Sequence, residues 1–294
     1  MGRFALWVFV GALSGTAWAG SEVPEVRSAS AVVLDASTGQ EIFGKDADQI
    51  RSIASTTKIF VAMAVREKGL DLDGWTEITK ADAYEARGGS RTRLAVGDRF
   101  TNRDLLRAML IASDNRAPTA LARAAGMDPD QLVAAMNKIA KRLKLKKTKF
   151  TDPTGLRGNV STAREMALAL KQALSDDTLR GVMSDPDETV VAKGGKHIEY
   201  ASTNVPLRAK KYDVIGGKTG YTEAAGYCFI TGARFAGKEV VMAFLKADGK
   251  QTRFADFDRV AAWLSARDKP GEGPARSTAE GGAKVDAKPV SSDE

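Results

Sequence analysis

The period of apolar positions changes several times along the chain. In residues 29–46 the segments "AVVLD" and "EIF" flank the polar stretch Ser37-Thr38-Gly39, which predicts a β-hairpin. From about Ser55 the spacing becomes helical, with Ile59, Phe60 and Met63 on one stripe and an end near Gly69. Residues 71–101, including "RGGSRTRLAVGDRF", follow neither period and read as irregular. Helices return in "NRDLLRAMLIA", apolar through Leu105, Leu106, Met109 and Leu110. They continue in "DPDQLVAAMNKIAKRL", where Asp128 is the N-cap, Pro129 the first helical residue, and Leu132, Val133, Met136, Ile139 and Leu143 the buried stripe. "STAREMALALKQAL" opens with Thr162 and Glu165 spaced as a capping box.

After residue 188 the pattern turns to strands, "YCFITGARF" and "KEVVMAFLKA", joined at Gly237. Val240–Leu245 is apolar at nearly every position, as in a strand buried on both faces. A last helix, "RFADFDRVAAWLSA", ends near Ala266 and carries Trp263 into the core. The order is strands, a block of helices, strands and a closing helix. It predicts an α/β (α+β) fold: an antiparallel sheet built from both chain ends, covered by helices on both faces, with an all-helical lobe beside it.

Composition adds boundaries. Of 294 residues, 43% are hydrophobic, enough for a sizeable core. Arg3, the apolar run Phe4–Leu13 and Ala17-Trp18-Ala19 have the form of a cleavable secretory leader, too short to span a bilayer. The expected organisation is a signal peptide at 1–19, a short segment at 20–26, one folded domain at 27–265 and a disordered tail at 266–294. The expected location is periplasmic, with at most peripheral membrane association. Formal net charge is +7, much of it in "NKIAKRLKLKKTKF", which reads as a solvated helix end suited to the macrodipole. No aromatic residues are interleaved there as a nucleic-acid surface would need, so no nucleic-acid partner is expected. With one histidine (His197) and one cysteine (Cys228), metal sites rich in those residues are excluded by counting. Cys228, in "YCFIT", reads as a small buried hydrophobe, and His197 as a residue of a loop or strand entry without a catalytic task.

The chemistry lies in three short motifs. Ser55 and Lys58 are three apart in "IASTTK" and share one helix face. Ser113-Asp114-Asn115 falls in a break between two helices, and Lys218-Thr219-Gly220 at the start of a strand segment. S-x-x-K alone is weak. The ordered set S-x-x-K, S-D-N, K-T-G is the signature of penicillin-binding proteins and class A β-lactamases. With no histidine to take the proton of Ser55, lysine must do so. It can only as the neutral amine, which burial and a neighbouring cation favour. Lys58 is the expected base and Lys218 the expected cation. Ser113 would relay the proton to the leaving amine, and Asn115 would bind a peptide-like backbone. Lys218 and Thr219 would bind a substrate carboxylate, and Gly220 would let substrate lie against the strand. The backbone N–H groups of Ser55 and Tyr221 would form an oxyanion hole.

On "VLDASTGQEIFGKDAD", "IASTTK", "SDN", "FTDPTGLRGNVSTA" and "KTGYTEAAGYC", residues 27–265 resemble the low-molecular-mass penicillin-binding proteins, the S11 serine D-alanyl-D-alanine peptidases. The resemblance implies the DD-peptidase/β-lactamase-like fold and an acyl-enzyme on Ser55 formed from peptidoglycan stem peptides. It implies covalent trapping by β-lactams and no cofactor. The polar C-terminal tail is similar to that of the short soluble subgroup, which includes D,D-endopeptidases; the choice between D-Ala-D-Ala carboxypeptidase and D,D-endopeptidase stays open, with the balance towards the endopeptidase. Tyr221 stands where other members have histidine, so the pocket wall there is expected to differ. Two alternatives stay open. A class A-like β-lactamase needs a glutamate that activates water, and Glu165 lacks the E-x-x-L-N context. A non-catalytic cell-wall or partner-binding module would have no reason to keep every motif residue.

Overall fold

The computed structural model describes residues 23–267; the expected leader and residues 268–294 of the expected tail lie outside them. Strands β1 (Ser30–Asp35) and β2 (Glu41–Lys45) form the expected hairpin. Its turn is fixed by the Asp35 carboxylate, which accepts the Ser37 hydroxyl and the N–H groups of Ser37 and Thr38. These bonds, the Ser37 hydroxyl first, hold the Asp35 pKa at about 2. β3 (Arg51–Ser52) leads into a 3₁₀ turn, Ala54–Thr57, and then α1 (Lys58–Glu67).

Residues 71–101 are not irregular. They hold β4 (Trp75–Glu77), α2 (Lys80–Glu85) and β5 (Arg99–Thr101), with β4 paired to β5. Each is too short to show a period. The six residues of α2 are held instead by a capping box between Thr79 and Asp82 and by the Arg123–Asp82 ion pair.

The helical lobe continues through α3 (Asn102–Ile111), α4 (Ala117–Ala124) and α5 (Pro129–Arg142). On α5, Leu132, Met136 and Ile139 are buried, while Val133 and Leu143 are only partly so. β6 (Val160–Ser161) pairs with β3 and precedes α6 (Ala163–Ala173). Only half of the expected capping box forms on α6. Thr162 accepts from the Glu165 N–H, but the Glu165 carboxylate turns to Lys147 N–H and the Thr148 hydroxyl. There follow α7 (Asp177–Ser184), the hairpin β7 (Asp187–Val191) and β8 (His197–Ala201), α8 (Val205–Ala209), β9 (Asp213–Thr222), β10 (Gly226–Phe235), β11 (Lys238–Ala247) and α9 (Thr252–Arg267).

The main sheet is five-stranded and antiparallel, in the order β2-β1-β11-β10-β9. Its centre explains the unbroken apolar run of β11. Val241, Ala243 and Leu245 face a core shared with α1, α3, α5 and α6. Val240, Met242 and Phe244 face a second core with Phe254 and Phe257 of α9. No helix among the described residues is long and apolar enough to cross a membrane.

The two chain ends meet on α9. Val26 packs into the second core, and α9 runs on to Arg267, so the ordered unit extends slightly past 27–265 at both ends. The buried Asp256 carboxylate accepts the N–H groups of Arg27 and Ser28 and the Ser28 hydroxyl. Asp256→Ala leaves those donors unpaired out of water. It is expected to lower the unfolding free energy by about 2–4 kcal/mol, read as a shift of the urea midpoint at constant m-value.

Candidate active site

Ser55 sits in a backbone turn pressed between two glycines. Ala54, just before it, has a left-handed φ of 47°. On one side lies Gly155, at φ 86°, where an added Cβ would stand 2.1 Å from the Ala54 carbonyl oxygen. On the other lies Gly220 of β9, where a Cβ would stand 2.8 Å from the Ser55 nitrogen and 3.0 Å from Ala54 Cβ. Gly220 was expected to make room for substrate against the strand. Its bare side is filled by the serine's own turn, so what it admits is the backbone of Ala54 and Ser55.

Lys58 begins α1 and is fully buried. Its Nζ lies 3.1 Å from Ser55 Oγ, 2.8 Å from the Ser113 carbonyl, 3.1 Å from Ser113 Oγ and 2.5 Å from Asn115 Oδ1. The structure thus brings together Ser55, Lys58, Ser113 and Asn115, from two helix boundaries. Ser113 reaches Lys58 because α3 ends at Ile111 with Ala112 as its C-cap, and Ser113 takes a left-handed φ of 65°. Backbone strain of this kind persists only where the surroundings hold it. Asp114 does the holding. Its buried carboxylate accepts the N–H groups of Arg93 (2.9 Å) and Arg116 (3.0 Å) and the Tyr200 hydroxyl (3.3 Å).

Burial lowers the Lys58 pKa to about 7, while the charges of Asp114 and Asp152 pull it upward. Lys218, also buried, is pushed well below its ordinary value, by burial first and then by the charges of Lys58 and Arg253. Burial, rather than a neighbouring Lys218 cation, is therefore the main cause of a neutral Lys58. Lys218 Nζ donates to the Thr219 carbonyl at 2.9 Å, and the Thr219 hydroxyl to that of Thr203 at 2.7 Å. The motif lies in the second half of β9, not at its start. Tyr221 pairs across the strands with Tyr227, and the two rings stack at 4.3 Å. Gly220 faces Ser55, so alternation along β9 puts the Tyr221 ring on the opposite face, 54% exposed, rather than on the Ser55 side.

Three supporting residues carry no motif. Asp152, in "FTDPTGLRG", accepts the N–H groups of Thr154, Gly155 and Arg157 at 2.7, 2.9 and 2.9 Å, which sets the loop that carries Gly155 against Ala54. The Asp-Pro-Thr-Gly turn composition was the available signal. Asn159 ties that loop to the 3₁₀ turn before α1 through Nδ2, which donates to Thr57 Oγ1 at 3.0 Å. Arg253 of α9, 5% exposed, donates to the carbonyls of Gly220 and Cys228 at 2.8 and 2.9 Å, and burial lowers its pKa to about 10. Nothing in "QTRFADF" marked it. Cys228 is buried, its thiol pushed up to about 11 by burial, and the exposed His197 stands on β8 with no bond to the cluster.

The arrangement suits acyl transfer: a hydroxyl, a base that can be neutral near pH 7, and a second hydroxyl on the far side of that base. A family model described as D-alanyl-D-alanine carboxypeptidase matches residues 18–249. The D-alanyl-D-alanine endopeptidase of Pseudomonas aeruginosa is 34% identical over 242 residues, which cover 82% of this chain and 78% of that protein. The D-alanyl-D-alanine endopeptidase of Escherichia coli is 32% identical over 244 residues, 82% and 78% of the two chains. The crystal structure of the Streptomyces K15 DD-transpeptidase aligns with a TM-score of 0.76 at 30% identity, over 83% of this chain and 98% of that one.

Three outcomes are expected. A base that works as the free amine is active above its pKa, so acylation of Ser55 by a reactive probe should rise with pH through about 7 and then level. Asp114 favours the charged form, so Asp114→Asn should move that midpoint to lower pH; a pH series of acylation rates by mass spectrometry reads it. Gly155→Ala should destabilise the fold by about 2 kcal/mol or more, from the φ and the clash with Ala54, and slow acylation together with it.

Proposed function

The chain belongs to the D-alanyl-D-alanine carboxypeptidase family, the S11 serine peptidases, and we propose that its reaction runs through an ester on Ser55 with Lys58 as the base. The protein is a serine D,D-peptidase, a hydrolase of the D-alanyl-D-alanine type. The observation that carries the residue assignment is the single amine of Lys58 within bonding distance of both Ser55 Oγ and Ser113 Oγ. As Ser55 attacks the carbonyl before the terminal D-alanine, its proton passes to Lys58. The tetrahedral oxyanion is met by the backbone N–H groups of Ser55 and Tyr221. Collapse breaks the C–N bond, and the departing amine takes a proton from Lys58 by way of the Ser113 hydroxyl. Water then hydrolyses the ester. Asn115 aligns the donor peptide. The field of Lys218, with the Thr219 hydroxyl, receives the terminal carboxylate.

The substrates are peptidoglycan stem peptides. A β-lactam enters the same step, but its leaving nitrogen stays tethered to the acyl group, so the ester persists. For subtype, the reading is D,D-endopeptidase, cutting cross-links between stems; the 34% and 32% identities to two endopeptidases support it. Export to the periplasm rests on the leader-like residues 1–19. The β-lactamase alternative loses its candidate glutamate, because Glu165 is engaged by Lys147 and Thr148 rather than by the Ser55 cluster.

Purified protein incubated with a fluorescent penicillin should gain a long-lived adduct on Ser55 by mass spectrometry, absent in Ser55→Ala. Cross-linked dimeric muropeptides should then be cut to monomers. Fast loss of the drug without an adduct would mean a β-lactamase, and release of D-alanine from pentapeptides with dimers left intact would mean a carboxypeptidase.

A further inference from the structure

The loop of residues 87–93 reaches the site from the helical lobe. An added Cβ on Gly89 would meet Asn115 Nδ2 at 2.2 Å, so this backbone lies directly on Asn115. The Arg93 N–H is bound to Asp114. Two clefts border the loop. One, of about 430 Å³, is lined by Arg87, Arg91 and Arg116; the other, of about 540 Å³, by Arg91, Arg93, Lys196 and His197. No carboxylate lines either cleft.

Most of these charges lack an acidic partner. Lys196 pairs with Asp98 at 3.1 Å. Arg87 lies over the Tyr84 ring, Arg93 donates to the Glu199 carbonyl, and Arg116 donates to the Leu94 carbonyl at 2.5 Å. These contacts orient the guanidinium groups without neutralising them. Arg91 is exposed and has no partner among the described residues. Guanidinium is built for planar, bidentate carboxylates. Clustered cations bordering a cleft also raise the local concentration of anions.

We propose that this arginine rim is an anion subsite that selects acidic acyl donors, taking the carboxylates that a stem peptide carries on the residues preceding its terminal D-Ala-D-Ala. The proposal rests on the D,D-peptidase reading. With the terminal carboxylate at Lys218 and Thr219 and the scissile carbonyl at Ser55, the preceding residues run past Asn115, and the rim begins there. The rim acts on specificity and takes no part in proton transfer.

The test uses two stem peptides that differ only in whether the carboxylates preceding D-Ala-D-Ala are free or amidated. Each competes with fluorescent penicillin for Ser55 of the full chain, at low and at high salt. The free-acid peptide should compete about three- to fivefold better at low salt, and the advantage should shrink as salt rises. Arg91→Ala, and more so Arg87→Ala with Arg91→Ala, should remove that advantage. Penicillin labelling and competition by the amidated peptide should stay unchanged. Equal competition by both peptides in the wild type, including none from either, overturns the subsite, as does an advantage that survives in the double variant. Absence of any penicillin adduct counts instead against the peptidase reading beneath it.

Discussion

A lysine amine shut away from water beside a serine hydroxyl is the constraint on which this structure turns. An ammonium in such a place is costly unless its donors are met, and here four oxygens surround Nζ, two of them hydroxyls and none a carboxylate. Neutral acceptors satisfy the amine without fixing its charge. A carboxylate at bonding distance would pin the proton and end its use as a base. The acidic groups that do act on Lys58, Asp114 and Asp152, spend their oxygens on backbone N–H groups and on the Tyr200 and Thr154 hydroxyls, and act only through space.

Those same two carboxylates shape the walls. Asp114 knots the turn that gives Ser113 its left-handed backbone, and Asp152 knots the loop that brings Gly155 against the serine turn. Each links the electrostatics of Lys58 to the geometry of its neighbours, so the site cannot shift in one respect without the other. Ser55 has little freedom of its own. Between Gly155 and Gly220 the backbone of Ala54 and Ser55 is in contact on both sides, at spacings that admit no Cβ. Holding a reacting atom this way removes motion that would otherwise be lost in the transition state.

The sheet supplies the rigid side of the clamp. β9 is its edge strand, backed by β10 and the doubly buried β11, and Arg253 of α9 fastens the carbonyls of Gly220 and Cys228 from behind. The helical lobe supplies the other side through α1, the Ser113 turn and the arginine loop. The site therefore lies where the edge strand of the sheet meets the helical lobe.

The sequence by itself determined the β1–β2 hairpin, α1, α3, α5, α6, β10, β11 and α9, the sheet from both chain ends and the motif residues that meet at the site. Period, caps and ordered motifs are local, and local information survives in one dimension. The short elements α2, β4 and β5 escaped because they are held by contacts across the chain, such as Asp82 with Arg123, rather than by a period of their own. What only the tertiary structure decided is distance and facing. It turned the Tyr221 ring away from Ser55, filled the bare side of Gly220 with the serine's turn, and made burial the main cause of the lowered Lys58 pKa. It also brought in Arg253, Asp152 and the arginine loop. Exclusion of water and close approach are properties of surfaces packed in three dimensions, and no spacing of residues along a chain encodes them.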